Sequence, residues 1–245
     1  MQIKDYQIVL LGILIALGSV CSTYILSKSI VEFQKMQNQT IRVTGSASQK
    51  VTSDSASWTI NVKTRKPTLK DGYIQLASDM KKIKKFIIEN GIDENCITYE
   101  SVNSYENYKR LPNGGMSNDI DSYTVFQLVT VKSADINKIT DLSKKVDELV
   151  NQDINLTTES VQYFVSNLDD IKVKMVGEAS KNAKARAESM ISGTNGKIGV
   201  MNSARMGVFQ IVPVDSTEVN DYGINDTSSI EKKVVATVTA TFTVK

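Results

Sequence analysis

The spacing of apolar and polar residues changes period several times along the chain, and each change marks an element. Tyr6–Ser27 holds no charged residue and is mostly Leu, Ile, Val, Ala and Gly, bounded by Lys4/Asp5 and Lys28. At about 1.5 Å per residue the run covers roughly 33 Å, enough for about 30 Å of hydrocarbon. It predicts a tail at residues 1–5, a single transmembrane anchor at 6–27 and a helical extension or stalk at 28–39. A cleaved signal fits less well: Val20 precedes Cys21 where a small residue is wanted, and the run outlasts an ordinary signal-peptide core.

Beyond residue 40, alternation with a period of two predicts strands at Thr40–Gly45 and Ser53–Lys63. In the second, Ala56, Trp58, Ile60 and Val62 alternate with Ser57, Thr59, Asn61 and Lys63. After Pro67 the period becomes helical, with Tyr73, Leu76, Met80, Ile83 and Ile87 on one stripe and Asn90-Gly91 as the stop. Ile97–Tyr108 and Ser122–Lys132 read as hairpin strands around a turn containing Pro112, Asn113 and two glycines. A second helix is predicted at Ala134–Asn151, with Ile136, Ile139, Leu142, Val146 and Leu149 inward, and a strand at Leu156–Phe164.

The stretch Leu168–Gly199 organises the rest. Leu168, Ile171, Met175, Ala179, Ala183, Ala187 and Met190 step by three or four, giving a helix with one apolar face. Three alanines in that stripe allow close approach to a sheet. Lys174, Glu178, Lys181, Lys184 and Glu188 take the opposite face, pairing Lys174 with Glu178 and Lys184 with Glu188, and Gly193 or Gly196 offers the stop. Lys197–Val212 predicts a strand with an irregular centre at Asn202–Gly207, and Pro213–Ser229 a polar surface loop. The last strand is the clearest, with Val234, Ala236, Val238, Ala240, Phe242 and Val244 alternating with Val235 and four threonines. The fold class is therefore α+β: helices packed on a largely antiparallel sheet, one domain over residues 40–245, preceded by the membrane helix. The two strand–helix–strand stretches suggest a degenerate duplication, and no Gly-, Pro- or Ser-rich linker divides them.

Several landmarks occur in a familiar order: Ile41-x-Val43-x-Gly45, Asp54-x-Ala56, Trp58, Gly91-Ile92, Tyr123, Ala179-x-x-Asn182-Ala183-x-Ala185, Gly196-x-x-Gly199, Gly207-x-Phe209-x-Ile211 and Lys232-Lys233-Val234. Over roughly residues 40–245 they resemble the SIMPL-domain (DUF541) family, in its branch with an uncleaved N-terminal anchor. Ser53 stands where that family often has proline, and Ala47 where a second glycine is common. The resemblance implies a cell-envelope protein exported across the membrane, homo-oligomeric assembly and a part in stress response. Charge points the other way on orientation: Lys28, Lys35 and Arg42 follow the span while Lys4 and the amino terminus precede it, which favours a cytoplasmic domain. The reading adopted is a single-pass protein of the cell membrane, a signal-anchor with its C-terminal domain extracytoplasmic.

Composition narrows the chemistry. The 245-residue chain has no histidine, which removes Ser-His-Asp and Cys-His catalysis and the usual zinc and haem ligand sets. A net charge of +2 without a basic stripe carrying interleaved aromatics gives no reason to expect nucleic acid. Cys21 lies in the apolar run and Cys96 in the soluble part, so a disulfide is not expected. Each local candidate has a plain structural reading. Asp169/Asp170 could form an acid or metal site but suit a helix N-terminus; Lys81, Lys82, Lys84 and Lys85 could touch an anionic surface but suit a solvated helix face. Cys96 lacks a resolving partner, Tyr99, Tyr105 and Tyr108 are ordinary strand formers, and Gly45 with Gly196 and Gly199 forms no phosphate loop. No catalytic, cofactor-binding or metal-ligating residue is assigned, and no cofactor is expected. The function expected is non-enzymatic, a membrane-tethered domain that self-associates or supports an envelope complex with a partner the sequence does not name. The alternative is a ligand-binding module for a peptide or small apolar molecule; an enzyme built on carboxylate, lysine or tyrosine groups is disfavoured.

Overall fold

The computed structural model describes residues 3–112 and 114–245, with side chains outside that description at 3–9 and 33–38. Asn113, placed above in the hairpin turn, and residues 1–2 of the tail lie outside the described residues. Helix α1 (Ile3–Asn38) is continuous through the predicted anchor and stalk. Its window Leu10–Glu32 is long and apolar enough to cross a membrane, and none of that window is buried in the fold. Leu10, Leu14, Leu17 and Leu26 are each about 60% exposed, which separates this helix from the core helix of a soluble domain.

The remaining elements follow in the order β1 (Thr40–Thr52), β2 (Ser55–Lys66), α2 (Leu69–Glu89), β3 (Ile97–Tyr99), β4 (Asn103–Arg110), β5 (Met116–Ser133), α3 (Ile136–Lys144), α4 (Asp147–Val150), β6 (Leu156–Thr158), β7 (Gln162–Phe164), α5 (Leu168–Ile191), β8 (Ile198–Met206), β9 (Gln210–Pro213), β10 (Ile224–Asn225) and β11 (Glu231–Val244). The strands form two sheets in which antiparallel pairing predominates, so the α+β expectation holds. The chain forms two compact units, one of Met1–Ser48, Lys172–Phe209 and Val235–Lys245, the other of Gln49–Ile171 and Gln210–Val234.

In the larger unit β2 is central, paired with β5 along its whole length and with β6 and β7 on its other side. Alternation puts Ala56, Trp58, Ile60 and Val62 inward, and the register sets Trp58 opposite Val131 and Ile60 opposite Val129. Leu76, Ile83 and Ile87 of α2, Ile139 and Leu142 of α3 and Leu149 of α4 close over them. Burying each of these side chains contributes about 1.5–3 kcal/mol, which makes this cluster the unit's main stabilising feature. Thr68 caps α2 by accepting from the Asp71 amide at 3.1 Å, and Gly91, at φ 83°, ends it.

In the other unit β11 pairs antiparallel with β8, from Val238/Met206 to Val244/Ile198. Helix α5 covers one face, with Ala183 and Ala187 clustered against Val43, Ala240 and Phe242. Strand β1 ends its sheet, and α5 occupies hydrogen-bonding groups that β1 would otherwise expose. Asn182 Oδ1 accepts from the Ser46 amide at 3.1 Å, and Arg186 Nη1 donates to the Thr44 carbonyl at 3.1 Å.

The structure corrects several details of the pattern. Ile191, not Met190, completes the α5 stripe, because the helix lasts long enough for the next inward position to be filled; Met190 is exposed. The left-handed residue after α5 is Asn195, at φ 56°, rather than Gly193 or Gly196. Lys184 reaches Glu188 at 3.8 Å as expected, and Glu178 also bonds Lys181 at 3.0 Å. Tyr73 is exposed because Gly72 takes the inward place on α2, its Cα facing Val125. The predicted second helix divides between Lys144 and Asp147, and the predicted strands at Ile97–Tyr108 and Leu156–Phe164 each divide in two. The irregular centre expected at Asn202–Gly207 is present at its two ends: one register shift against β11 falls at Asn202 and the break after β8 starts at Gly207, while a further shift lies between Met201 and Ile198. The polar segment after Pro213 contains β10, which pairs in parallel with β9.

Candidate functional site

The charged candidates fall to structural duties. Lys84 bonds to the Glu94 carboxylate, which raises its pKa, Lys85 lies 3.6 Å from Glu89, and Lys82 reaches the Gln152 carbonyl at 3.4 Å. Asp169 and Asp170 sit exposed in the first turn of α5. Cys96 is half-buried against the β2–β5 core, Cys21 is exposed on α1, and both are free thiols. Among the described residues no cluster of three or more acidic or thiol groups is placed to hold a metal ion.

The tyrosines divide. Tyr105, Tyr108 and Tyr123 line a groove of about 500 Å³ with Leu69, Ser104 and Glu106, whereas Tyr99 stands apart from it. Strand β4 builds the groove: Tyr105 lies opposite Thr124 and Glu106 opposite Tyr123 on β5. The Tyr105 ring tilts 58° against Phe126 at 6.2 Å between centroids, which fixes one wall. Tyr108 donates its hydroxyl to Glu106 at 2.5 Å, and that bond raises the Tyr108 pKa. The groove thus offers aromatic edges and one carboxylate, a surface suited to an extended polar segment.

One residue was missed by the apolar pattern. Lys232, on β11 at an inward position, is buried, and its Nζ donates to the Tyr163 carbonyl at 2.6 Å and to the Asp226 carbonyl. Burial pushes its pKa down, and the Asp226 charge partly offsets that. Asp226 is half-buried, which would raise its pKa, but hydrogen bonds from Ser228 and Ser229 and the Lys232 charge hold it below the usual carboxylate range. The result is a tied loop: Lys232 and Asp226 fasten residues 226–229 to β7, whose Tyr163 amide donates to the Thr227 carbonyl at 2.7 Å. Each polar group is consumed locally, so the cluster holds structure together. The available signal was the interruption of an otherwise apolar alternation by Lys232.

The sequence profile of the SIMPL family, described as a protein of unknown function (DUF541), matches residues 41–242. The chain belongs to the SIMPL family. The match begins three residues after α1 ends, so it leaves out residues 1–40, which include the apolar helix, and the last three residues. Comparison with curated proteins finds no match. Family landmarks acquire physical roles here: Gly45 lies under α5, Asn182 serves the Ser46 amide, Trp58 is fully buried and Lys232 ties the 226–229 loop.

Proposed function

We propose that this SIMPL protein is a non-enzymatic, membrane-anchored domain that self-associates on the extracytoplasmic side and supports a stress-responsive envelope assembly. The observation that carries self-association is the contrast between two sheet edges. On β1, Thr44 and Ser46 are covered by Arg186 and Asn182. On β8, only β11 pairs with the strand among the described residues, and Val200, Met201 and Met206 stand exposed along it. An open, partly apolar edge of nine residues is a template for pairing with a second strand. The family resemblance supports the envelope and stress part of the reading. Light scattering on the full chain in neutral detergent should give a multiple of the 27.0 kDa protomer, and Val200→Asp with Met206→Asp should reduce it to one. A monomeric wild-type chain sinks this reading. A tag after Lys245, protected from or open to protease in intact cells, decides the side of the membrane.

A second reading, a module that binds a peptide, rests on the groove beside β4. Titrating an extended cationic peptide should quench tyrosine fluorescence, and Tyr105→Ala with Glu106→Gln should abolish the response.

A further inference from the structure

The polar face of the β1–β11–β8 sheet carries two arginines that have no acidic partner among the described residues. Alternation leaves Arg42 on the face opposite Val43, and Thr239 and Thr241 on the face opposite Ala240. The β8 register places Arg205 directly opposite Thr239, and Ser203 opposite Thr241. On the other side of β11, the Thr44 hydroxyl meets that of Thr239 at 2.9 Å, which brings Arg42, two residues earlier in β1, onto the same face. These side chains line a recess of about 350 Å³: Arg42, Ser203, Ala204, Arg205, Thr239 and Thr241.

We infer that this recess binds a phosphate group, gripped by Arg42 and Arg205 from its two sides and met by the hydroxyls of Ser203, Thr239 and Thr241. Three features argue for it. None of the six lining residues is acidic, and neither guanidinium makes an ion pair among the described residues. Strands two apart in a sheet are roughly 10 Å apart, so two extended arginine side chains anchored on β1 and β8 can converge on one tetrahedral anion between them. The positions beside Thr243 and Thr237 are short: a Cβ on Gly199 of β8 would run into Thr243, and one on Gly207, just past the end of β8, into Thr237. Guanidinium donors with hydroxyl donors match the acceptor-rich, tetrahedral phosphate better than a planar monocarboxylate.

The phosphate could be borne by a soluble molecule or by a lipid headgroup. Arg42 lies ten residues beyond Glu32, where the apolar window of α1 ends, so a headgroup is within the reach of the chain. The test uses the full chain in neutral detergent micelles, titrated calorimetrically with inorganic pyrophosphate in one arm and with short-chain phosphatidylglycerol in the other. Saturable one-site binding is expected in at least one arm, weakened tenfold or more by Arg42→Gln, by Arg205→Gln and by 0.5 M salt (about that concentration suffices to screen within a few Å). Lys184→Gln, on the outer face of α5, should leave it unchanged. Binding of pyrophosphate assigns a soluble phosphate, and binding of the lipid alone assigns a headgroup. No saturation in either arm, or Arg variants within twofold of wild type while retaining its circular dichroism and melting curve, overturns the site.

Discussion

The Cα of Gly45 lies directly against the backbone of Ala183. A Cβ on Gly45 would stand 2.6 Å from the Ala183 Cα, and closer still to its amide nitrogen and to the Ala179 carbonyl oxygen. Helix and strand therefore touch backbone to backbone, and Asn182 and Arg186 fix β1 on either side of the contact. Gly45→Ala should cost stability at the upper end of roughly 1–3 kcal/mol, because backbone cannot yield as a side-chain tip can. Ala183→Leu should fall in the same range. Lys184→Leu, on the exposed face, should cost about 0.5 kcal/mol or less. Denaturant melts of the three full-length variants rank them, and equal losses for Ala183→Leu and Lys184→Leu would contradict the packing described.

Lys232→Met keeps the apolar stem but removes the ammonium from the Tyr163 and Asp226 carbonyls. Leaving buried acceptors unmet costs about 1–3 kcal/mol. Lys233→Met, which removes a bond to the Ser216 carbonyl from a half-buried site, should cost less. Thermal melts would show the order.

Asp226 titrates below 3.8 in the fold because Ser228, Ser229 and Lys232 outweigh its burial. Its folded pKa lies below the unfolded one, so its contribution is complete above 3.8 and is lost as pH falls through the folded value. Asp226→Asn should flatten the acid limb of the stability–pH curve below that point. An unchanged acid limb would show that the loop tie does not depend on the ionised carboxylate.

The Leu10–Glu32 helix should hold the full chain in the membrane fraction through carbonate extraction. Sequencing the mature amino terminus checks the same point, since a start within Ser19–Ser27 would reveal a cleaved signal.

Cys96 packs half-buried against the core rather than beside a resolving thiol. Cys96→Ser should leave the peroxide survival of a complemented strain at the wild-type level. Loss of survival with the melt unchanged would give the thiol a redox role.

Period alone determined a good deal. The α5 stripe from Ile171 to Ala187 and the buried alternation of β2 and β11 follow from side-chain spacing, because burial on one face imposes that spacing directly, and the apolar N-terminal helix follows from an uncharged run of sufficient length. The family could also be read, since several of its landmarks hold places with a fixed physical duty: Gly45 under α5, Asn182 on the Ser46 amide and Trp58 in the core. Tertiary structure decided the rest. Where β3 and β4, or β6 and β7, divide a run of strand-like sequence, the division depends on which stretch of β5 or β2 is free to pair. The two compact units leave no mark in composition because the chain passes between them four times, three of them inside the continuous elements β1, α5 and β11 and once between β8 and β9. Lys232 reads as a surface residue until the Tyr163 and Asp226 carbonyls are placed around it. Arg42 and Arg205, 163 positions apart, became neighbours only when β1 and β8 flanked β11, because sheet register is set by hydrogen bonds between distant segments and not by any property of either segment alone.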